Sequence, residues 1–237
     1  MGTHYNSKIV TDSLIFCIDP ANTKSYPGSG TTVTDLVAGR TVTMSGTNMG
    51  VTNGEFVFNG SDDKMDIGST LIDVSGNYTL SSTDDHYTLE AWIYPETSQG
   101  TTTDADCIIG GDTAYGVGMQ LGINVAAPRL NYAARSTSNF YSSDLAGYNA
   151  WYHVCFAHQQ SSFTRTFING VLDLTSSSTS YDISTAGALG NMEIGNATGR
   201  VSGYFDGKMG AIRIYKKGLS DVEMLQNYNA SKARYGL

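Results

Sequence analysis

Short apolar runs with two-residue periodicity recur from one end of this chain to the other, and they constrain its fold more than any other feature. Leu14, Phe16 and Ile18 alternate in the first run, as do Phe56 and Phe58 in GEFVFNG. In YTLEAWIY, Tyr87, Leu89, Ala91 and Ile93 share one face, while Thr88, Glu90, Trp92 and Tyr94 share the other. WYHVCFAH divides in the same way, with Tyr152, Val154 and Phe156 opposite Trp151, His153, Cys155 and Ala157. Successive side chains of a strand point to opposite faces, so each run is a strand with a face to bury. RTFINGVLDL places Asn169-Gly170 between two such runs. Asn-Gly supplies the two positive-φ residues of a type I′ turn and predicts a hairpin. Residues 203–215 read as one long strand with Ile212 and Ile214 on one face.

One stretch reads as a helix. Ser220-Asp221-Val222-Glu223 is a capping box, after which Met224, Leu225 and Tyr228 recur at helical spacing. This helix must lie against a sheet, or its apolar face would stay wet. The 27 Gly, 25 Ser and 26 Thr make about a third of the 237 residues, which suits many strands joined by polar turns. The expected fold is all-β: a jelly-roll β-sandwich of two antiparallel sheets, six or seven strands each, with one short C-terminal helix from about Ser220. Residues 1–13 read as an N-terminal arm and residues 14–237 as a single domain.

Charge and cysteine content narrow the partners. The net charge is −8, and no basic cluster exceeds Lys216-Lys217, which argues against a nucleic-acid partner. Apolar runs fall far short of the ~20 residues that span a bilayer, so no membrane insertion is expected. The opening residues show no basic stretch followed by an apolar one, hence no signal peptide. Cys17, Cys107 and Cys155 sit singly in strand-like runs and read as buried, reduced thiols.

The run LIFCIDPANTKSYPGSGTTVTDL is followed in order by GEFVFNGSDDKMDIG, YTLEAWIYP, WYHVCFAHQQ, RTFINGVLD, MEIGN and FDGKMGAIRIYKKGLSDVEMLQNYNASKARYGL. Together these resemble the laminin-G-like branch of the concanavalin A-like lectin/glucanase superfamily over nearly the whole chain. The SYPGSG opening and the NYNASKARYGL ending resemble the version of the domain found in virion proteins of tailed bacteriophages. Residues 42–54 depart from the pattern, since the expected short Asn/Gly turn between the early strands is not read there. The resemblance implies a virion location after assembly in the host cytoplasm. It implies a non-enzymatic structural role as a capsid decoration, fibre or tail-associated protein, with other virion proteins as partners. A carbohydrate-binding module for host-surface glycans is the alternative, and a polysaccharide hydrolase the third.

The residues give the hydrolase little support. Retaining hydrolysis needs two carboxyls about 5 Å apart, and the glucanases of this superfamily place them as Glu-x-Asp-x-x-Glu on one strand. None of Glu55, Glu90, Glu96, Glu193 and Glu223 has an Asp two positions on. Glu90 stands alone on its strand face and reads as a hydrogen-bonded strand carboxylate. His153 and His158 are five apart, which points them to opposite faces of a strand. No cofactor motif occurs. Calcium remains open, because Asp62-Asp63, Asp84-Asp85 and Asp104-Ala105-Asp106 lie in polar turns, and some members of the resembled family bind calcium at loops. Acidic turn residues also hydrogen-bond their own backbone. For ligand binding, the candidates are Tyr132, Tyr141 and Tyr148, because aromatic faces stack on sugar rings. Trp92 and Trp151 read as core. The arm, residues 2–8, and the loop of residues 136–149 are the expected assembly contacts of a homo-oligomer, with the arm ordered by a neighbouring chain.

Overall fold

The computed structural model describes residues 8–68, 86–97, 106–111, 117–121, 128–134, 138–159, 162–177, 192–196 and 203–237. Sixteen strands form two antiparallel sheets of eight among these residues, more than the six or seven expected for each. In spatial order the first sheet runs β14 (Val171–Ser176), β13 (Phe163–Ile168), β12 (Tyr152–Gln159), β7 (His86–Pro95), β16 (Asp206–Tyr215), β5 (Glu55–Asn59) and β4 (Gly50–Thr52), with β1 (Leu14–Ile18) pairing the second half of β16. The second runs β11 (Ser138–Asp144), β10 (Arg129–Ala134), β9 (Val117–Leu121), β8 (Cys107–Gly110), β15 (Met192–Ile194), β6 (Lys64–Gly68), β3 (Thr41–Ser45) and β2 (Thr32–Thr34).

Alternation decides which residues meet between the sheets. Phe16, Ile18, Phe56, Phe58, Leu89, Ile93 and Phe156 of the first sheet form one core with Met65, Ile67, Ile109, Met119, Tyr132 and Ile194 of the second. Two hairpins turn on Asn-Gly. Asn169 (φ 51°) and Gly170 (φ 76°) join β13 to β14 as expected. Asn53 (φ 55°) and Gly54 (φ 74°) do the same between β4 and β5. The Asn/Gly turn thought missing from residues 42–54 is therefore present, at the very end of that segment.

The outer face of the first sheet is capped. Helix α1 (Asp221–Ser231) starts on the Ser220 capping box: the Glu223 amide donates to Ser220 Oγ, and the Glu223 carboxylate accepts from the Ser220 amide at 2.9 Å. Met224 packs against Cys155, Ala157, Phe167, Tyr215, Leu219 and Val10, whereas Leu225 stays exposed. This is why β12, β7 and β16 are buried at nearly every position: one face meets the core and the other meets the helix. Trp92 is fully buried, as expected, but under the C-terminal segment and not between the sheets. Its ring stacks on Tyr235 with centroids 4.1 Å apart, its Nε1 donates to Ser231 Oγ at 3.0 Å, and Trp151 stays half-buried at the edge of the cluster. The Tyr235 hydroxyl accepts from the Ala211 amide at 3.1 Å. It comes so close to β16 that a Cβ on Gly210 would lie 2.0 Å from it.

The chain end thus closes a wet face with aromatic rings. Tyr235→Ala removes a ring from Trp92 and the partner of a buried amide. It is expected to lower stability by about 3 kcal/mol, measured as a fall in the urea midpoint with a change in tryptophan fluorescence.

Candidate functional site

Glu90 and the histidines occupy the capped face, so their geometry comes first. Glu90 Oε1 accepts from Arg213 Nη1 and, at 3.0 Å, from His153 Nε2; its Oε2 accepts from Asn227 Nδ2 at 2.6 Å. Asn227 is buried on α1, where its Oδ1 accepts from the Val10 amide at 2.8 Å and its Nδ2 also donates to the Tyr215 hydroxyl at 2.9 Å. Burial alone would push the Glu90 carboxyl up, but Arg213, His153 and Asn227 outweigh it and hold it at about 2. Both oxygens are occupied and the side chain is buried, so Glu90 is a hydrogen-bonded strand carboxylate, as its lone position on the strand face implies. His158 points to the opposite face from His153, against Tyr87 and Thr164.

The acidic turns divide in two. Asp62 accepts from the Thr47 amide and hydroxyl and from Asn59 Nδ2 (2.7 Å), and Asp63 accepts from the amides of Asn48 and Asn59. These oxygens already serve protein donors. Asp84-Asp85 and Asp104-Ala105 lie outside the described residues, and among those described no group of three His, Cys, Asp or Glu could hold a metal. The three cysteines are buried and form no disulfide, and burial pushes the Cys17 thiol up to about 11.

The three candidate tyrosines are not brought together. Tyr132 lies between the sheets, stacked on Phe156 with its hydroxyl against that of Tyr87, and offers no face to a ligand. Tyr148 is half-buried in a turn whose next residue, Asn149, donates its amide to Pro95 of β7. Tyr141 sits on β11, where the sequence had implied a loop, and faces away from the core with the Arg129 guanidinium 4.5 Å over its ring. On the outer face of the second sheet it is half-buried.

That face, the outer side of the second sheet, is polar along two rows set by register. One row reads Tyr141, Asn131, Gln120 and Cys107 across β11, β10, β9 and β8, three strand spacings or about 14 Å. The next reads Thr43, Asp66 and Glu193 on β3, β6 and β15, then Gly110 on β8 and Gly118 on β9. The two glycines leave the sheet bare of side chains between Glu193 and β10. Lys64 Nζ donates to Glu193 Oε1 at 2.8 Å. Glu193 Oε2, Asn131 Oδ1 and Arg129 Nε are each buried without a hydrogen-bond partner. Buried polar atoms are nearly always satisfied, so the two such atoms beside the Tyr141 ring, Asn131 Oδ1 and Arg129 Nε, are where a polyhydroxylated ligand gains most, with Glu193 Oε2 three strands away on the same face. Sequence reading missed these residues. The alternation in RLNY, GMQL, MEI and KMDIG put polar groups on one face, but only strand pairing could line those faces up.

The chain belongs to the concanavalin A-like lectin/glucanase superfamily. Residues 59–224 match the family model of that description. A search of curated protein sequences returns no significant match. Among solved structures, a Trypanosoma rangeli sialidase in complex with sialic acid superimposes with a TM-score of 0.69 at 13% identity, over 95% of this chain and 34% of the sialidase. Domain 4 of AbnA, an extracellular GH43 arabinanase of Geobacillus stearothermophilus in complex with arabinotriose, gives 0.65 at 15% identity, over 91% and 98%. The binding domain of botulinum neurotoxin DC, in complex with rat synaptotagmin II, gives 0.64 at 15% identity, over 93% and 52%. The chain thus spans about a third of the sialidase and about half of the toxin chain. These likenesses establish a shared fold.

Two outcomes test this geometry. Glu90, held low when folded and near 4.5 when free, contributes stability that is complete above about pH 4.5 and is lost as the pH falls towards about 2. Urea midpoints should therefore drop through that window, and less steeply in Glu90→Gln, which is also destabilised at pH 7 by about 3 kcal/mol because Arg213 is left buried and unpaired. Secondly, Tyr132→Ala should cost about 3 to 5 kcal/mol and Tyr141→Ala less than about 1, as read from the same unfolding curves.

Proposed function

We propose that this chain is a non-enzymatic component of a bacteriophage particle, a decoration, fibre or tail-associated protein, that holds a host-surface glycan on the outer face of its second sheet. The observation that carries the binding role is the pair Tyr141 and Asn131, with the unpartnered Asn131 Oδ1 and Arg129 Nε beside the ring and Glu193 Oε2 in the next row of the same face. A sugar ring stacks on an aromatic face, and its hydroxyls both donate and accept. Supporting the reading, the similar folds include proteins seen with sialic acid and arabinotriose. The virion setting rests on the resemblance carried by SYPGSG and NYNASKARYGL, and it makes other virion proteins and further copies of the chain the partners. The absence of enzymatic activity is inferred from Glu90, whose carboxylate is consumed by Arg213, His153 and Asn227.

One observation favours hydrolysis as the second reading. Glu193, buried, and Asp66, exposed, are direct partners across β15 and β6 on the same outer face, and side chains so placed stand about 5 Å apart, the separation a retaining mechanism uses.

A glycan array probed with the purified chain separates the readings. Expected are binding to host-envelope polysaccharide, at least tenfold weaker in Tyr141→Ala and Asn131→Ala, no release of reducing sugar, and the protein among the components of purified particles. Absence of any glycan signal overturns the adhesion role. Reducing-sugar release that disappears in Glu193→Gln replaces it with the hydrolase.

A further inference from the structure

Exposed apolar side chains are not scattered over this molecule. Among the described residues eight large ones are left exposed, and five of them, Val171, Leu172, Leu174, Val222 and Leu225, belong to β14 and α1. The two elements adjoin. Asp221, Leu225 and Tyr228 share one helix face at i, i+4 and i+7, and that face is turned to β13 and β14. Asp221 pairs with Arg165 at 3.0 Å, and the Tyr228 ring would lie 2.9 Å from a Cβ on Gly170. Leu225 therefore stands beside Leu172, whose register partner Phe167 lies under the helix.

β14 ends the first sheet among the described strands. Sheet edges are ordinarily protected by charge or proline, but β14 reads VLDLTS, and the carboxylate of its one charged residue, Asp173, is taken up by Thr166 Oγ1 and the Ser143 amide. Its apolar residues also lie on both sides of the sheet. Leu172 pairs with outward-facing Phe167, whereas Val171 and Leu174 pair with Ile168 and Thr166 on the core side. A partner packing against one face would cover half of them, whereas a strand that extends the sheet covers both halves.

We propose that β14 is a dimerisation edge, on which a second copy of this chain adds its own β14 antiparallel and joins the two first sheets into one. A copy of the same strand is the occupant that brings matching apolar side chains to both faces, and antiparallel self-pairing closes as a two-fold. The size agrees. Val171, Leu172, Leu174 and Leu225 expose roughly 300 Å² of mainly apolar surface, divided between the two sides of the sheet, and a stable pair buries about 800 Å² per partner, somewhat over half of it apolar. The register shift between Thr166 and Phe167 places one extra residue, Asp173, in β14, so a partner strand pairs with the residues on either side of that bulge. This inference stands apart from the glycan-binding reading, which concerns the other sheet.

Light scattering on the eluting protein tests it. At about 50 μM the full chain should elute with twice its 25.3 kDa mass, and the double variant Val171→Lys, Leu174→Lys as a monomer, with an unchanged circular dichroism spectrum and a midpoint within a few degrees of the parent. Leu225→Lys, on the helix beside the strand, should weaken the dimer at least tenfold without refolding any strand. A monomeric parent at 50 μM overturns the proposal, and so does a double variant that is folded and keeps the parent's mass. Should the double variant fail to fold, Leu225→Lys decides alone: an unaltered dimer constant overturns the proposal.

Discussion

The Glu90 carboxylate is the point to which the capped face is tied. It sits on β7 and is bound by Arg213 from β16, His153 from β12 and Asn227 from α1, and through Asn227 the segment at Val10 is fastened as well. A charge in such a place is tolerable only when paired and hydrogen-bonded. Each partner therefore has to arrive from the correct element at the correct height. This demand fixes where α1 lies on the sheet, and Trp92, Tyr228 and Tyr235 then fill the rest of the covered area by stacking. Apolar contact alone would let the helix slide; the polar knot removes that freedom.

Once the first sheet is capped on its outer side, the two sheets have different tasks. The first is buried on both faces through β12, β7 and β16 and serves as the rigid centre. The second carries Lys64, Asp66, Glu193, Gln120, Asn131 and Tyr141 on its outer side, where Asp66 is exposed, Lys64 and Tyr141 are half-buried and Gln120, Asn131 and Glu193 are buried. A superfamily that keeps its core in the sandwich can vary an outer face freely, because side chains there contribute little to the packing between sheets. Low identity to a sialidase, an arabinanase domain and a toxin binding domain, together with close agreement in fold, is the expected result of that division.

The sites illustrate how far local pattern carries. Period two separated Tyr87 from Glu90 and His153 from His158, and each pair is found on opposite faces. It could not tell which outward face is covered. Trp92 reads as core and Glu90 as a hydrogen-bonded strand carboxylate, but only placing α1 and the C-terminal segment over them shows what covers that face. Tyr132 and Tyr141 are nine residues apart, on strands joined by a hairpin, and their opposite fates follow from register: Tyr132 pairs with Phe140, and Asn131 with Tyr141.

By itself, the sequence determined much of the local geometry of this protein: strands from alternation, a hairpin from Asn169-Gly170, the helix start from the Ser220–Glu223 box, and a two-sheet sandwich from the number of half-apolar strands. These are short-range consequences of backbone sterics and of which side chains water rejects. Only the tertiary structure decided that Glu90 is buried, that Glu193 and Asp66 are neighbours, that Tyr141 faces outward while Tyr132 does not, and that Val171, Leu174 and Leu225 gather at one edge. Those facts depend on pairings between residues distant in the chain, where the spacing of one strand says nothing about the register of another.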